Sequence, residues 1–143
     1  MVNLRYIKPV QVKQLEDNVN SYIKKYYPNK PLRKFRDDNE AGLIKCIKAF
    51  VFLNGGQAER IDNRGYWVEE AKKYVPSMCE AGTADIHCTI NGLSVKVEIK
   101  IGKDRQSEAQ IKYQKRIEKA GGVYIIVKTF LDFYNWYVKM QKK

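Results

Sequence analysis

Apolar positions along this chain change period several times, and each change marks an element. Val12, Leu15, Val19, Tyr22, Ile23 and Tyr26 recur at helical spacing, which predicts a first helix over residues 8–27 that Pro28 and Pro31 stop. Leu43, Ile44, Ile47, Phe50 and Val51 form the stripe of a second helix over 38–53. It is opened by a capping-box pattern, Asp37-x-x-Glu40, and closed by Asn54-Gly55-Gly56. Short strands are expected over 57–61 and 66–68, around the turn 62–65. Residues 69–81 begin with helical character and break at Pro76, reading as a variable connection. Ser107-x-x-Gln110 opens a third helix that runs to Ala120, with Gly121 in the closing position. Val123–Val127 is a continuous apolar run, hence a buried strand reached by a βαβ crossover. Thr129-x-x-Asp132 caps a last helix whose Phe130, Phe133, Tyr134, Trp136, Tyr137 and Met140 read as core or as a dimer face.

The most constrained stretch is Gly82 to Lys100. Asn91-Gly92 is a type I′ turn dipeptide between two alternating runs, so the register of a hairpin follows from it. Ile90 then faces Leu93, Cys88 faces Val95, Ile86 faces Val97 and Ala84 faces Ile99, an entirely apolar and therefore buried face. The other face pairs Thr89 with Ser94, His87 with Lys96, and Asp85 with Glu98. Two carboxylates thus oppose each other at roughly 5 Å between Cβ atoms. Lys100 follows on the same face, roughly 6–7 Å along the strand.

Like charges placed directly opposite are destabilising unless something positive lies between them. Mg²⁺ suits such a pair, because it takes one or two carboxylates and completes its octahedron with water and substrate phosphate. A lysine beside it can orient or deprotonate water, or neutralise charge developing on phosphate. An exposed sheet face with scattered charges is the plainer reading. It sits poorly with the low strand propensity of Asp and Glu. Glu40, on the side of the second helix's stripe, is a further acidic candidate, though the helix dipole alone favours a carboxylate there. Gln110 is explained by its capping box.

Composition narrows the partners. The 143 residues carry a net charge of +11, with 27 Lys and Arg against 16 Asp and Glu, which points to a polyanion. No apolar run approaches the ~20 residues of a membrane span, and no organic cofactor motif appears. Three cysteines without CxxC spacing and a single histidine exclude a zinc constellation and fit a reducing, cytoplasmic setting.

Asp85, twelve intervening residues, then Glu98-Ile99-Lys100 resembles the core of the PD-(D/E)XK nuclease superfamily. The ordered set Gly82-Thr83-Ala84-Asp85-Ile86, the hairpin, Val97-Glu98-Ile99-Lys100, Gln110 and Gly121-Gly122-Val123-Tyr124 is similar to its VRR-NUC branch, over roughly Asp38 to Tyr134. The resemblance implies a restriction-endonuclease-like α/β core. This is a mixed sheet of about four strands with helices on both faces, here over 37–143, preceded by a helical extension over 1–36. It implies a metal-dependent endonuclease acting on DNA, with Mg²⁺ (Mn²⁺ substituting) held by Asp85, Glu98, the Ile99 carbonyl and Glu40. Lys100 and Gln110 would act at the water or substrate. Arg60 and Asn63 fall where the branch often carries an Arg and an Asn. They join Lys103, Arg105, Lys112 and Lys115 as nucleic-acid contacts. Branched DNA, a homodimer and a cytoplasmic setting in a bacterium or a phage-infected host cell are further implications. A basic non-catalytic nucleic-acid-binding module and an RNA-directed nuclease stand as alternatives, since nothing in the motif distinguishes ribose from deoxyribose.

Overall fold

The computed structural model describes residues 6–142; Met1 to Arg5 of the N-terminal extension and Lys143 lie outside them. Helix α1 spans Val10–Tyr26 and α2 spans Glu40–Leu53. Three short strands follow, β1 (Gln57–Arg60), β2 (Tyr66–Val68) and β3 (Lys73–Val75). Then come β4 (Ile86–Ile90), β5 (Leu93–Ile99), α3 (Glu108–Lys119), β6 (Val123–Val127) and α4 (Phe130–Gln141). The chain is α/β, with a mixed four-stranded sheet in the order β1-β4-β5-β6. β4 runs antiparallel to both of its neighbours, β1 and β5, and β6 runs parallel to β5.

The Asn91-Gly92 turn sets the expected register. Ile86 pairs with Val97, His87 with Lys96, Cys88 with Val95, Thr89 with Ser94 and Ile90 with Leu93. Asn91 takes φ 50° and Gly92 φ 79°, the left-handed geometry a type I′ turn needs at both central positions. One sheet face carries Ile86, Cys88, Ile90, Val95, Val97 and Ile99 into the main core, where α1, α2 and α4 cover it. The described part of the N-terminal extension is thus a layer of that core, through Val12, Leu15, Val19 and Ile23. The aromatic run of α4 is core as well: Phe50 meets the rings of Phe130, Phe133, Tyr134 and Tyr137 edge-on, at centroid distances of 4.9–6.0 Å.

Four expectations are corrected. Ala84 does not continue the apolar face opposite Ile99. Pairing ends at Ile86, the chain turns, and Ala84 is buried on the opposite side of the sheet with Tyr113 and Tyr124. β1 and β2 do not pair with each other; β1 adds to β4, and β2 forms a separate hairpin with β3. Over 69–81 the expected helical start is instead a turn at 69–72 that leads into β3. Tyr74 and Val75 favour extended backbone opposite Tyr66 and Trp67, and the Glu69–Lys72 turn closes with Lys72 at φ 50°. Finally, Asn39 rather than Asp37 caps α2, accepting a hydrogen bond from the Gly42 amide.

Asp37 has another task. It is buried, its Oδ2 accepts from the Phe130 amide at 2.9 Å and its Oδ1 from the Tyr6 hydroxyl at 2.8 Å. The carboxylate thus ties the α1–α2 connector to the N-terminus of α4, where the helix dipole favours negative charge. Asp37→Ala leaves the buried Phe130 amide unsatisfied and should lower stability by about 2 kcal/mol, measured from urea-unfolding midpoints. An unchanged midpoint would remove this tie from the account of the fold.

Candidate active site

Asp85 sits where the β4–β5 ladder stops. Two-residue hairpins close on a hydrogen-bonded pair, and the alternation then makes Ala84 and Ile99 the next bonded pair beyond Ile86 and Val97. Because the chain has turned away by Ala84, the Ile99 amide is met instead by the Asp85 side chain, whose Oδ2 accepts it at 2.9 Å. The Asp85 carbonyl accepts from the Ile61 amide at 2.9 Å, which anchors the residue from the β1 side. Backbone thus grips Asp85 on two sides while its side chain stays half-buried at the edge of a cleft.

Glu98 is only 3% exposed, on the sheet face covered by α3. Its Oε1 accepts from Gln110 Nε2 at 2.9 Å and lies 3.6 Å from Lys100 Nζ. Its Oε2 is the one buried side-chain oxygen or nitrogen without a hydrogen-bond partner among the described residues. Burial, reinforced by the neighbouring Asp85 charge, pushes the Glu98 carboxyl up to about 8, against the opposing pull of Lys100. The lysine is too distant at 3.6 Å for a good hydrogen bond, and it leaves the second oxygen unmet.

The position of Gln110 follows from the start of α3. Ser107 and Gln110 form the reciprocal capping box, with the Ser107 amide donating to Gln110 Oε1. The carbonyl end of the side chain caps the helix and the amino end holds Glu98. Gly82 brings the helix close enough. At φ 82° it lies against the Ala109 carbonyl, and any Cβ there would sit 2.3 Å from that oxygen. Beyond Gln110, Gln106 Nε2 donates to Gln114 Oε1 at 2.8 Å and to the Tyr124 hydroxyl at 3.3 Å. Burial raises the Tyr124 phenol to about 12, so the ring stays neutral beside the carboxylates. The Gln106 contact has no sequence signal, because it depends on how the 100–107 loop closes over the sheet.

Glu40 is exposed at the first position of α2. It lines a cleft of about 180 Å³ together with Asp85, Arg60, Ile61, Asp62, Asn63 and Arg64. Among the described residues no three His, Cys, Asp or Glu side chains converge as a metal-holding group. The expected acidic cluster is therefore a close pair, Asp85 and Glu98, with Glu40 across the cleft mouth. Asn63 Nδ2 donates to the Thr83 carbonyl at 3.1 Å, two residues before Asp85. Arg60, Lys103, Arg105, Lys112 and Lys115 are all exposed. His87 lies 3.3 Å from the Tyr113 hydroxyl, and burial with nearby Lys96 lowers its pKa, which favours the neutral ring. No family model, curated protein or solved structure matches this chain. Among the described residues no helix is long and apolar enough to cross a membrane.

The Glu98 environment has a pH signature. Folding raises this carboxyl from its ordinary 4.5 to about 8, so the folded state holds a proton that the unfolded state has lost between those values. The stability it confers is full below pH 4.5 and disappears as pH rises through 8. In metal-free buffer, Glu98→Gln should flatten this fall and raise Tm near pH 8 by at least about 3 °C, because an uncharged amide replaces a buried charge. Parallel melting curves for the two proteins from pH 5 to 9, with no divergence, would contradict the assigned environment.

Proposed function

We propose that this protein is a divalent-cation-dependent phosphodiesterase that cleaves DNA, with a PD-(D/E)XK type of core. The observation that carries the reading is the orphaned, buried Oε2 of Glu98 beside the Asp85 carboxylate. Two things can satisfy such an oxygen, a proton or a cation. The donor set is oxygen only, which suits Mg²⁺ or Mn²⁺ and disfavours zinc. Asp85 and Glu98 would hold the ion, with the Ile99 carbonyl between them in sequence as the further ligand the resemblance suggests. Such an ion supplies a lowered pKa for bound water and neutralises charge on the phosphate oxygens.

The remaining chemistry belongs to the chain's own residues. Gln110 and Lys100 share Glu98 Oε1, so they fix the carboxylate's orientation and aim its other oxygen away from both donors. The Lys100 ammonium, largely buried, is in place to orient an attacking water or to stabilise charge that develops on phosphorus oxygens. Asp85 is kept in register by the Ile99 and Ile61 amides, so its carboxylate needs no reorganisation on binding. Arg60 at the cleft, with Lys103, Arg105, Lys112 and Lys115, supplies exposed positive charge for a nucleic-acid backbone in a chain of net charge +11. Support for the core assignment comes from the mixed sheet order, with both carboxylates at the adjacent strands β4 and β5. Branched DNA as substrate and a homodimeric assembly belong to the same reading through the resemblance.

Incubation with branched, duplex and single-stranded DNA and with RNA, in Mg²⁺, Mn²⁺ or EDTA, tests the proposal. Cleavage should require the ion and be abolished by Asp85→Asn and by Glu98→Gln, while DNA binding persists. Lys100→Met should slow cleavage by about a hundredfold or more at saturating Mg²⁺. Full activity in EDTA, or in either carboxylate variant, would overturn the assignment, and preferential cleavage of RNA would move it to a ribonuclease. Binding should also weaken with salt, with log K falling by roughly 0.9 per neutralised phosphate against log salt on duplex DNA. An affinity indifferent to salt would remove the backbone contacts from the account.

A further inference from the structure

The β2–β3 hairpin exposes three large aromatic rings, Tyr66 at 62%, Trp67 at 56% and Tyr74 at 61%. None of them belongs to either core cluster, and the two strands pack chiefly on each other. An isolated two-stranded hairpin is marginal in water, so three exposed rings on one are not explained by folding. Trp67 and Tyr74 are cross-strand partners and so share one face. They diverge along it. The Tyr74 ring lies over Gly65 at the foot, where a Cβ would meet its hydroxyl at 2.4 Å. The Trp67 indole instead donates to Glu69 Oε2 at 2.8 Å toward the tip.

The feet of this hairpin are fastened to the mouth of the candidate site. Asp62, Asn63 and Arg64, which lead into β2, line the same cleft as Asp85. The Asn63 side chain holds the Thr83 carbonyl, and Cys79 Sγ reaches the Asp62 carbonyl at 3.5 Å as the chain returns. Glu80 pairs with Arg116 of α3. Arg60, Arg64, Lys72 and Lys73 place positive charge along the path from cleft to tip; Arg64 and Lys72 are paired with Asp62 and Glu69, whereas Arg60 and Lys73 carry no ion pair among the described residues. Exposed rings with interspersed cations, continuous with a phosphate-cleaving site, are what unpaired nucleotides bind, since every base has a face to stack.

We infer that the β2–β3 hairpin is a base-stacking arm that holds unpaired nucleotides of the substrate next to the Asp85–Glu98 site through Trp67 and Tyr74. The inference rests on the nucleic-acid reading of that site and deepens it. The arm selects DNA in which a single-stranded segment adjoins the scissile backbone, and it leaves a fully paired blunt duplex without its contacts.

The test compares a fluorescently labelled blunt duplex with the same duplex bearing a ten-nucleotide thymidine overhang, by anisotropy in EDTA so that nothing is cut. The native protein should prefer the overhang by about tenfold or more, as one or two base–aromatic stacks would supply. Trp67→Ala with Tyr74→Ala should abolish the preference and leave blunt-duplex affinity unchanged, whereas Trp67→Phe with Tyr74→Phe should retain most of it. In a Trp136→Phe background, the remaining Trp67 fluorescence should be quenched by the overhang and not by blunt DNA. An overhang preference that survives the double alanine change would overturn the inference. So would a native protein that does not distinguish the two duplexes, or a double alanine change that shifts only the molecular mass in solution and so marks a protein–protein contact. Failure of the site reading is separately visible: overhang binding and quenching would persist in a protein that cuts nothing in Mg²⁺. Failure of the arm alone would leave Mg²⁺-dependent cleavage that still requires Glu98.

Discussion

Much of this molecule is arranged around one carboxylate that is hard to keep charged. Glu98 is buried in the sheet between a like-charged neighbour and a helix, with one oxygen held and the other left without a partner. A buried polar atom without a partner costs free energy unless something absent from the protein itself completes it. In the free protein a proton can do so, since the Glu98 carboxyl is pushed up to about 8. The proposed function replaces that proton with a divalent cation, and the same environment that disfavours the bare carboxylate then favours the bound ion.

The surrounding elements make that arrangement rigid. On one face β5, which carries Glu98, and β4, which Asp85 immediately precedes, are fixed by a continuous apolar core beneath α1, α2 and α4. On the other, the capping box of α3 spends one end of Gln110 on the helix and the other on Glu98. The close approach of Gly82 to Ala109 sets the distance between that helix and the start of β4. Where the β ladder ends, the Asp85 side chain takes over the Ile99 amide that the departing backbone leaves. Strand β5 therefore supplies Glu98, and the hydrogen bonds of Asp85 to the Ile99 and Ile61 amides hold the other carboxylate just before β4.

Sequence reading reaches this hairpin because period-two alternation around Asn91-Gly92 leaves no choice of register. The helices are legible for the same kind of reason: caps at Ser107 and Thr129 and apolar stripes on α1, α2 and α4 are local signals. What escaped was set by tertiary contact. Asp37 looks like a helix cap but is drawn into the interior by the Phe130 amide 93 residues away in sequence. Glu40 sits on the side of an apolar stripe yet projects outward, because α2 begins at that residue. The β2–β3 hairpin has no Asn-Gly turn to announce it, and a segment rich in Glu, Ala and Lys reads locally as helix. The sequence marks β2 over 66–68, whereas β3 is identified only by its pairing with β2.

The central claim is that Asp85 and Glu98 together hold a divalent cation. Titration of metal-free protein with Mn²⁺, followed by electron paramagnetic resonance and calorimetry, tests it without any substrate. The account predicts saturable binding at this site that is lost in Asp85→Asn and in Glu98→Gln, is retained in Glu40→Gln, and is competed by Mg²⁺. Absence of saturable binding, or binding that both carboxylate variants leave unchanged, would contradict it.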